Sequence, residues 1–494
     1  MTGHFFSETY LCLYPYVFIT FTYNILIIFL VLQFIMEVLI IASKTKLTGR
    51  VIFRGDPGYE EARLNWNPYT NTYPLVIVFA QKHDDVVHAI KWARENDVPI
   101  RARGGRHALE RNMSVVKDGI IIDVSDMTRV RLNSKKEIAF IETGIDVGPL
   151  VSTLADRGFM SPFGDSPTVG IAGLTLGGGI GPLQRTIGLA SDNLIGVKMV
   201  DAEGRTIIAD ENHNSDLLWA SRGGGGGNFG IATEYKFRVH RAPRKATVFD
   251  INWPWEQIEE VVKAWQRWSP SVDDRLGTSL EVFTKSSGVL QATGLFLGSK
   301  TELIDLLQPL LTTGTPSEVN IQTLPWPAVV ENRLPPDQIP TDEANKFSST
   351  FGFQPFPDAA IKAMRYFLEN ATGSDSNFFF LNWGGKVSRI SPKATAFYWR
   401  DPKFYFEWSA TWTDPSDEQR NVALVERTRQ MLKPYSKGSY VNVPDYNIRD
   451  FGRAYYGTNF DRLRKVKTKY DPNNVFRYPQ SIPPLNERSG FRLF

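Results

Sequence analysis

The 494-residue chain has a single cysteine, Cys12. That excludes an internal disulfide and a cysteine-based metal centre. It leaves the compartment open, because a domain this large needs no disulfides. Net charge is nearly absent as well: 56 Lys and Arg against 53 Asp and Glu leave +3. The basic residues are scattered, which argues against a nucleic-acid partner. No Gly-x-Gly-x-x-Gly opens a helix in a βαβ frame with an acidic residue about 20 positions on, so this is not a standard Rossmann unit. The five glycines Gly223 to Gly227 lack the Lys-Ser/Thr that would follow in a P-loop. There is no internal repeat.

Charge is missing in one more place, the run from Thr9 to Met36. As a helix at about 1.5 Å per residue it exceeds the roughly 30 Å hydrocarbon core of a bilayer. No basic residue precedes the run, and it is longer than the usual ~7–15 residues of a signal-peptide core. A single-pass membrane anchor over residues 9–41 is therefore expected, with a cleaved signal and a secreted or luminal enzyme as the alternative. Lys44, Lys46 and Arg50 follow the run, and the positive-inside rule places the rest of the chain in the cytosol. The sequons at Asn112 and Asn370 report on that topology.

Beyond the run, short apolar stretches alternate with helical ones. Pro74–Val78, Gly119–Asp123, Ile138–Glu142, Ile195–Val200 and Arg205–Ile208 read as strands, and Asp85–Asn96 and Leu150–Arg157 as helices. After about Pro243 glycine thins out and aromatic residues rise. Helices are expected at Ile258–Trp268 and Ala359–Leu368, and strands at Leu280–Thr284, Leu290–Gly294, Asn377–Trp383 and Phe404–Trp412. The pattern predicts an α+β protein of two domains. A mixed α/β domain spans 55–242, and an antiparallel sheet with helices on one face spans 243–444. Residues 445–494 return to the first domain, after a hydrophobic segment at 1–46.

The chemistry gathers around Arg103-Gly104-Gly105-Arg106-His107. Paired glycines let the backbone bend and approach a ligand closely, two arginines suit a diphosphate, and His107 closes the loop with a ring nitrogen. Three further blocks follow. The first runs from Asp165-Ser166-Pro167-Thr168-Val169-Gly170 to Gly177-Gly178-Gly179-Ile180-Gly181. The second is Arg222 with Gly223 to Gly227 and Asn228-Phe229-Gly230-Ile231. The third is Tyr455-Tyr456-Gly457-Thr458-Asn459-Phe460, leading to Tyr470-Asp471-Pro472-Asn473-Asn474-Val475-Phe476-Arg477.

In this order and spacing the four blocks resemble the FAD-linked oxidases of the berberine bridge enzyme-like family. These have the flavin domain of the vanillyl-alcohol-oxidase (PCMH) type, and the likeness covers about residues 55 to 485. It implies FAD as cofactor, joined covalently to His107. Many relatives make a second link through a cysteine just before Pro-Thr-Val-Gly; that position is Ser166 here, so one link is expected. Matching flavin-neighbour positions are Val169, Gly170, Ala172, Gly173, Gly177, Gly178, Gly179, the glycines 223–227, Gly230, Ile231 and Asn459. The resemblance makes Tyr455 the candidate base, with Tyr456 as alternative. Tyr405 and Glu407 alternate on one strand and share a face. A second tyrosine of some plant relatives is Ile180 here. The expected reaction is hydride removal from a small molecule of secondary metabolism, with oxygen as acceptor. A carbohydrate or alcohol oxidase, a dehydrogenase or isomerase with poor oxygen use, and a catalytically dead membrane-anchored binding protein are the alternatives.

Overall fold

The computed structural model describes residues 45–68, 72–110, 113–164, 166–334 and 343–487. The expected anchor at 9–41, Cys12, Asp165 and the sequon asparagine Asn112 lie outside the described residues. Among the described residues no helix is long and apolar enough to cross a membrane.

Two sheets build the first half. β1 (Arg50–Phe53), β2 (Val76–Phe79), β3 (Ile100–Arg103) and β4 (Ile120–Asp123) form a four-stranded sheet in the order β1-β2-β4-β3. β2, β4 and β3 run parallel, and β2 and β4 are buried along their whole length. Both are continuous apolar runs, as strands covered on two faces require. The helix His83–Glu95 crosses from β2 to β3 and buries Val86, Ala89, Ile90 and Ala93 against the sheet. β5 (Val130–Asn133), β6 (Ile138–Glu142), β8 (Leu194–Val200), β9 (Thr206–Asp210) and β10 (Ile231–Arg238) make an antiparallel sheet, ordered β5-β6-β10-β8-β9. A two-residue β7 (Phe159–Met160) pairs with β11 (His240–Arg241) beside it.

The second half is one antiparallel sheet of eight strands: β12 (Lys245–Asn252), β13 (Leu276–Phe283), β14 (Leu290–Phe296), β15 (Glu318–Pro325), β16 (Ala344–Gly352), β17 (Asn377–Asn382), β18 (Phe404–Trp412) and β19 (Ser436–Lys437). Their order is β15-β12-β14-β13-β17-β18-β16-β19. Alternation sorts its side chains. Leu280, Val282, Leu290, Ala292, Phe378, Phe380, Phe404, Phe406 and Trp408 point one way, into a core shared with helices Ile258–Trp268, Lys300–Leu311, Asp358–Asn370 and Glu418–Leu432. The odd-numbered partners on the central strands point the other way, toward the first domain.

Helices Phe451–Tyr456 and Phe460–Tyr470 join the core of the antiparallel sheet, with Phe460, Leu463 and Val466 beside Trp219 and Phe237. A buried cation ties the C-terminal segment down. Lys467 Nζ donates to Asp471 Oδ2, to the Asn228 carbonyl and to the Phe476 carbonyl, all at 2.7 Å. Neither Lys467 nor Asp471 has any side-chain exposure. Lys467→Met leaves the buried Asp471 charge with only the Val475 and Phe476 N–H groups as partners, so it should cost about 3–5 kcal/mol. Urea unfolding of the variant against wild type measures this, and an unchanged midpoint would show the pair to be dispensable.

Candidate active site

Between the two halves lies a cavity of about 830 Å³. Its first wall is made of loops whose glycines are of two physical kinds. Gly105 and Gly170 pack backbone on backbone: a Cβ built on Gly105 would lie 2.2 Å from the Gly170 nitrogen, and one on Gly170 2.3 Å from the Gly105 nitrogen. No side chain fits at either. Gly173 differs, since it lines the cavity and a Cβ there meets no protein atom within 4 Å. Gly226 and Gly227 also line it, and a Cβ on either would make only ordinary contacts. Packing does not explain Gly173 or Gly226, while Gly227 has a φ of +67°, a backbone conformation that itself favours glycine. All three leave room for a ligand lying flat on the backbone.

Gly104, Arg106, His107, Ser166, Val169, Gly230 and Ile231 line the same wall. The His107 ring is held on two sides. Its Nε2 lies 2.7 Å from Thr168 Oγ1, and the Trp66 ring stacks on it with centroids 5.4 Å apart and planes 20° from parallel. Asn228 organises the glycine loop from below. Its amide donates to the Gly224 carbonyl at 3.1 Å and to Tyr478 Oη at 2.9 Å, and Tyr478 in turn donates to the Gly226 carbonyl at 2.8 Å.

The structure places several sequence-expected site residues away from the cavity or commits their polar atoms to protein partners. Arg103 lines the cavity and its Nη1 has no hydrogen-bond partner, but its other guanidinium nitrogens are engaged. Its guanidinium turns into the protein, where Nε donates to Asp123 and Nη2 to the Ala62 carbonyl at 2.7 Å. Gly177, Gly178 and Gly179 do not line the cavity. Added Cβ atoms there would strike Asn442, Phe397 and Ala190, so these glycines serve packing. Asn459 is also away from the cavity, where its amide donates to the carbonyls of Pro392, Thr395 and Ala396. Tyr456 donates to the Gly224 carbonyl at 3.1 Å from within the core. Tyr455 does line the cavity, but its hydroxyl is committed: it accepts from the Asp445 N–H at 2.9 Å and donates to Gln480 Oε1 at 2.8 Å. Burial pushes the phenols of both tyrosines well above their ordinary range.

The second wall is the other face of the eight-stranded sheet. Ser279 and Glu281 on β13, Gln291 and Thr293 on β14, Asn377, Phe379 and Leu381 on β17, and Glu407 on β18 all reach the cavity. Register places Glu281 opposite Phe379, and Phe379 opposite Glu407. Tyr405 donates its hydroxyl to Glu407 Oε2. Burial and the Glu407 charge push the Tyr405 phenol well above its ordinary range, so it stays a neutral donor. Tyr440, which no sequence motif singled out, completes this corner. Its oxygen accepts from the Gly179 N–H and from Asn442 Nδ2, both at 2.9 Å. Burial pushes that phenol up to about 12.

This chain belongs to the berberine bridge enzyme-like family of FAD-linked oxidoreductases. Residues 74–210 match the model of an FAD binding domain, and 439–483 the model called berberine and berberine like. The chain is 62% identical over 444 residues to the FAD-linked oxidoreductase YvdP of Bacillus subtilis, covering 90% of this chain and 99% of that protein. It is 28% identical to berberine bridge enzyme-like D-1 of Nicotiana tabacum, with 83% of each chain covered. Its fold matches the solved structure of Physcomitrella patens BBE-like 1 at a TM-score of 0.83 and 29% identity, over 89% of this chain and 98% of that one. The open glycines Gly173, Gly226 and Gly227 suit the cofactor this family uses, and FAD is the cofactor of the site.

One carboxyl behind the glycine contact is poorly accommodated. Asp146 Oδ1 is buried with no hydrogen-bond partner, 3.0 Å from where a Gly105 Cβ would stand. Burial, with the nearby Asp123 charge, pushes this carboxyl from 3.8 up to about 6, against the pull of Arg106. The folded protein then holds the proton more tightly than the unfolded chain. The stability linked to that proton is complete below about pH 4 and is lost as pH rises through about 6. Asp146→Asn should therefore be more stable than wild type above pH 6, and the gap should close toward pH 4. Urea midpoints of both proteins across that range test the sign.

Proposed function

We propose that the chain is an oxidase that removes hydride from a small-molecule alcohol or amine-adjacent carbon, with Glu407 as the base. The observation that carries this reading is the two-sided cavity: glycine backbone open to a ring on one wall, and a carboxylate held by Tyr405 on the other. When bound, FAD supplies the acceptor for the hydride, and molecular oxygen is the proposed final electron acceptor. His107, gripped by Trp66 and Thr168, is the proposed point of covalent attachment, and Ser166 leaves it as the single link. Glu407 takes the proton of the substrate O–H or N–H. The Tyr405 hydroxyl orients that carboxylate by donating a hydrogen bond to it.

The second wall also bears on substrate class. Ser279, Glu281, Gln291, Thr293 and Asn377 offer hydrogen-bonding groups from three adjacent strands. Arg333, the arginine on that side, is paired with Asp250 at 3.0 Å. Such a wall favours a hydroxyl-rich substrate, a carbohydrate or polyol, the alternative to the small molecule of secondary metabolism that the resemblance implies. For the N-terminus we propose the single-pass anchor over residues 9–41, supported by its uncharged length. Recovery of the full chain in the soluble fraction after membranes are pelleted would refute the anchor.

Stopped-flow flavin reduction tests the catalytic reading. Glu407→Gln should slow reduction by roughly 10²–10⁴, the usual range for a positioned acid–base group, with flavin content unchanged. Tyr455→Phe should leave reduction close to wild type and instead lower stability by about 1–3 kcal/mol, because two buried partners lose their mate. The reverse pattern would return the base to Tyr455. In the same preparations His107→Ala should abolish the flavin that stays with the polypeptide after acid precipitation.

A further inference from the structure

Three consecutive residues of β16 reach across the cavity rim to the loop that carries His107. The Asn345 carbonyl accepts from Asn67 Nδ2 at 3.1 Å, and the same amide donates to the Leu109 carbonyl at 2.8 Å. Lys346 forms an ion pair with Glu110, three positions after His107. Phe347 approaches Trp66 at 6.3 Å between centroids, and Trp66 stacks on His107. Lys346 Nζ has a second partner, Asp445 Oδ1 at 2.9 Å. Asp445 has no side-chain exposure, and its other oxygen accepts from the Ser348 hydroxyl at 2.7 Å and lies 3.7 Å from Arg429. From Asp445 the contacts continue into the C-terminal segment. Its N–H donates to Tyr455, its carbonyl accepts from Gln480 Nε2 at 2.8 Å, and the neighbouring Tyr446 N–H donates to Glu110 at 3.1 Å.

One ammonium therefore joins three segments distant in sequence: the His107 loop, the substrate-side sheet and the C-terminal return. Stability alone gives little reason for it, since a buried ion pair is often no better than apolar residues of equal volume. Its advantage is directional, because charged groups with several fixed partners admit one arrangement. We propose that Lys346 is a positioning residue, acting through Glu110 to fix the His107 loop and through Asp445 to fix the Tyr440–Asn442 side of the same cavity. The proposal rests on His107 as the flavin attachment point.

A displacement of about 1 Å in a reacting group costs on the order of 10²-fold, so attachment should respond strongly to this contact. The test compares purified wild type with Lys346→Met, Lys346→Arg, Glu110→Gln and Arg400→Met. Arg400 forms a comparable buried pair with Asp192, at 2.7 Å and with 0% and 5% side-chain exposure, away from residues 103–110. Each protein is scored for flavin retained after acid precipitation and for melting temperature. Lys346→Met and Glu110→Gln should lose about tenfold or more of the acid-stable flavin. Lys346→Arg should recover most of it, and Arg400→Met should melt lower yet keep its flavin. Wild-type attachment in Lys346→Met or in Glu110→Gln overturns the proposal, as does a loss in Arg400→Met that tracks its melting temperature equally. Should wild type itself release all flavin in acid, covalent attachment is what fails. Positioning is then read from FAD retained through gel filtration, where equal retention in Lys346→Met and wild type overturns it.

Discussion

Everything at the active site depends on two chain segments meeting with no side chain between them. Gly105 and Gly170 stand so close that a Cβ on either would fall inside the other's backbone. The His107 loop and the segment leading into helix Ile171–Gly177 therefore form a single slab, with the Ile171 N–H donating to the Ile145 carbonyl behind it at 3.1 Å. Thr168 reaches the His107 ring because of that contact, and Gly173 faces the cavity because of it. The slab also buries Asp146 against the join, which costs that carboxyl its hydration and raises its affinity for a proton. A close approach for the cofactor is thus built at the expense of one uncomfortable acid.

The opposite wall rests on simple alternation. On β13, β14, β17 and β18, one parity is leucine, valine, phenylalanine and tryptophan against four helices. The other parity brings serine, threonine, glutamine, asparagine and glutamate to the cavity, together with Phe379 and Leu381. A single-residue slip in register would bury Glu281 and Glu407 among aromatic rings and expose Phe380 and Phe406. The dense aromatic core, with Phe378 stacked on Phe406 at 5.3 Å and 7°, makes that slip costly. Register thereby holds Glu407 beside Tyr405 and opposite the glycine slab. The same sheet then reaches over the rim through Asn345, Lys346 and Phe347, so its edge region grips the loop its centre faces.

Tyrosines illustrate how proximity in a motif misleads. Tyr455 and Tyr456 sit in the C-terminal block and look available in sequence, but both phenols are tied to backbone or amide groups within buried surroundings. Their work is to hold the return of the chain, as Asn459 holds the loop at 392–396. The hydrogen-bonded pair that presents a carboxyl group to the cavity is Tyr405 and Glu407, whose two-residue spacing was visible but whose surroundings were not. Tyr440 and Asn442 carried no pattern at all, because packing against Gly177 to Gly179 leaves no periodic trace.

The sequence by itself determined the α+β class, several elements to the residue, and the glycine-rich loops that line the cavity. Ile138–Glu142, Ile258–Trp268 and Phe404–Trp412 were legible because local periodicity and apolar runs are set by the chain's own neighbours. The glycine blocks were legible because only glycine tolerates such backbone approach. Strands β12, β15 and β16 were not read, since their pairing partners are remote in sequence and mixed composition hides them. Tertiary structure alone decided which glycines face a ligand and which face Asn442, Phe397 or Ala190. It also decided that Arg103 turns inward to Asp123, and that Lys346 finds Glu110 and Asp445. Those outcomes depend on what stands across a gap from each group, and no local pattern records the far side of a gap.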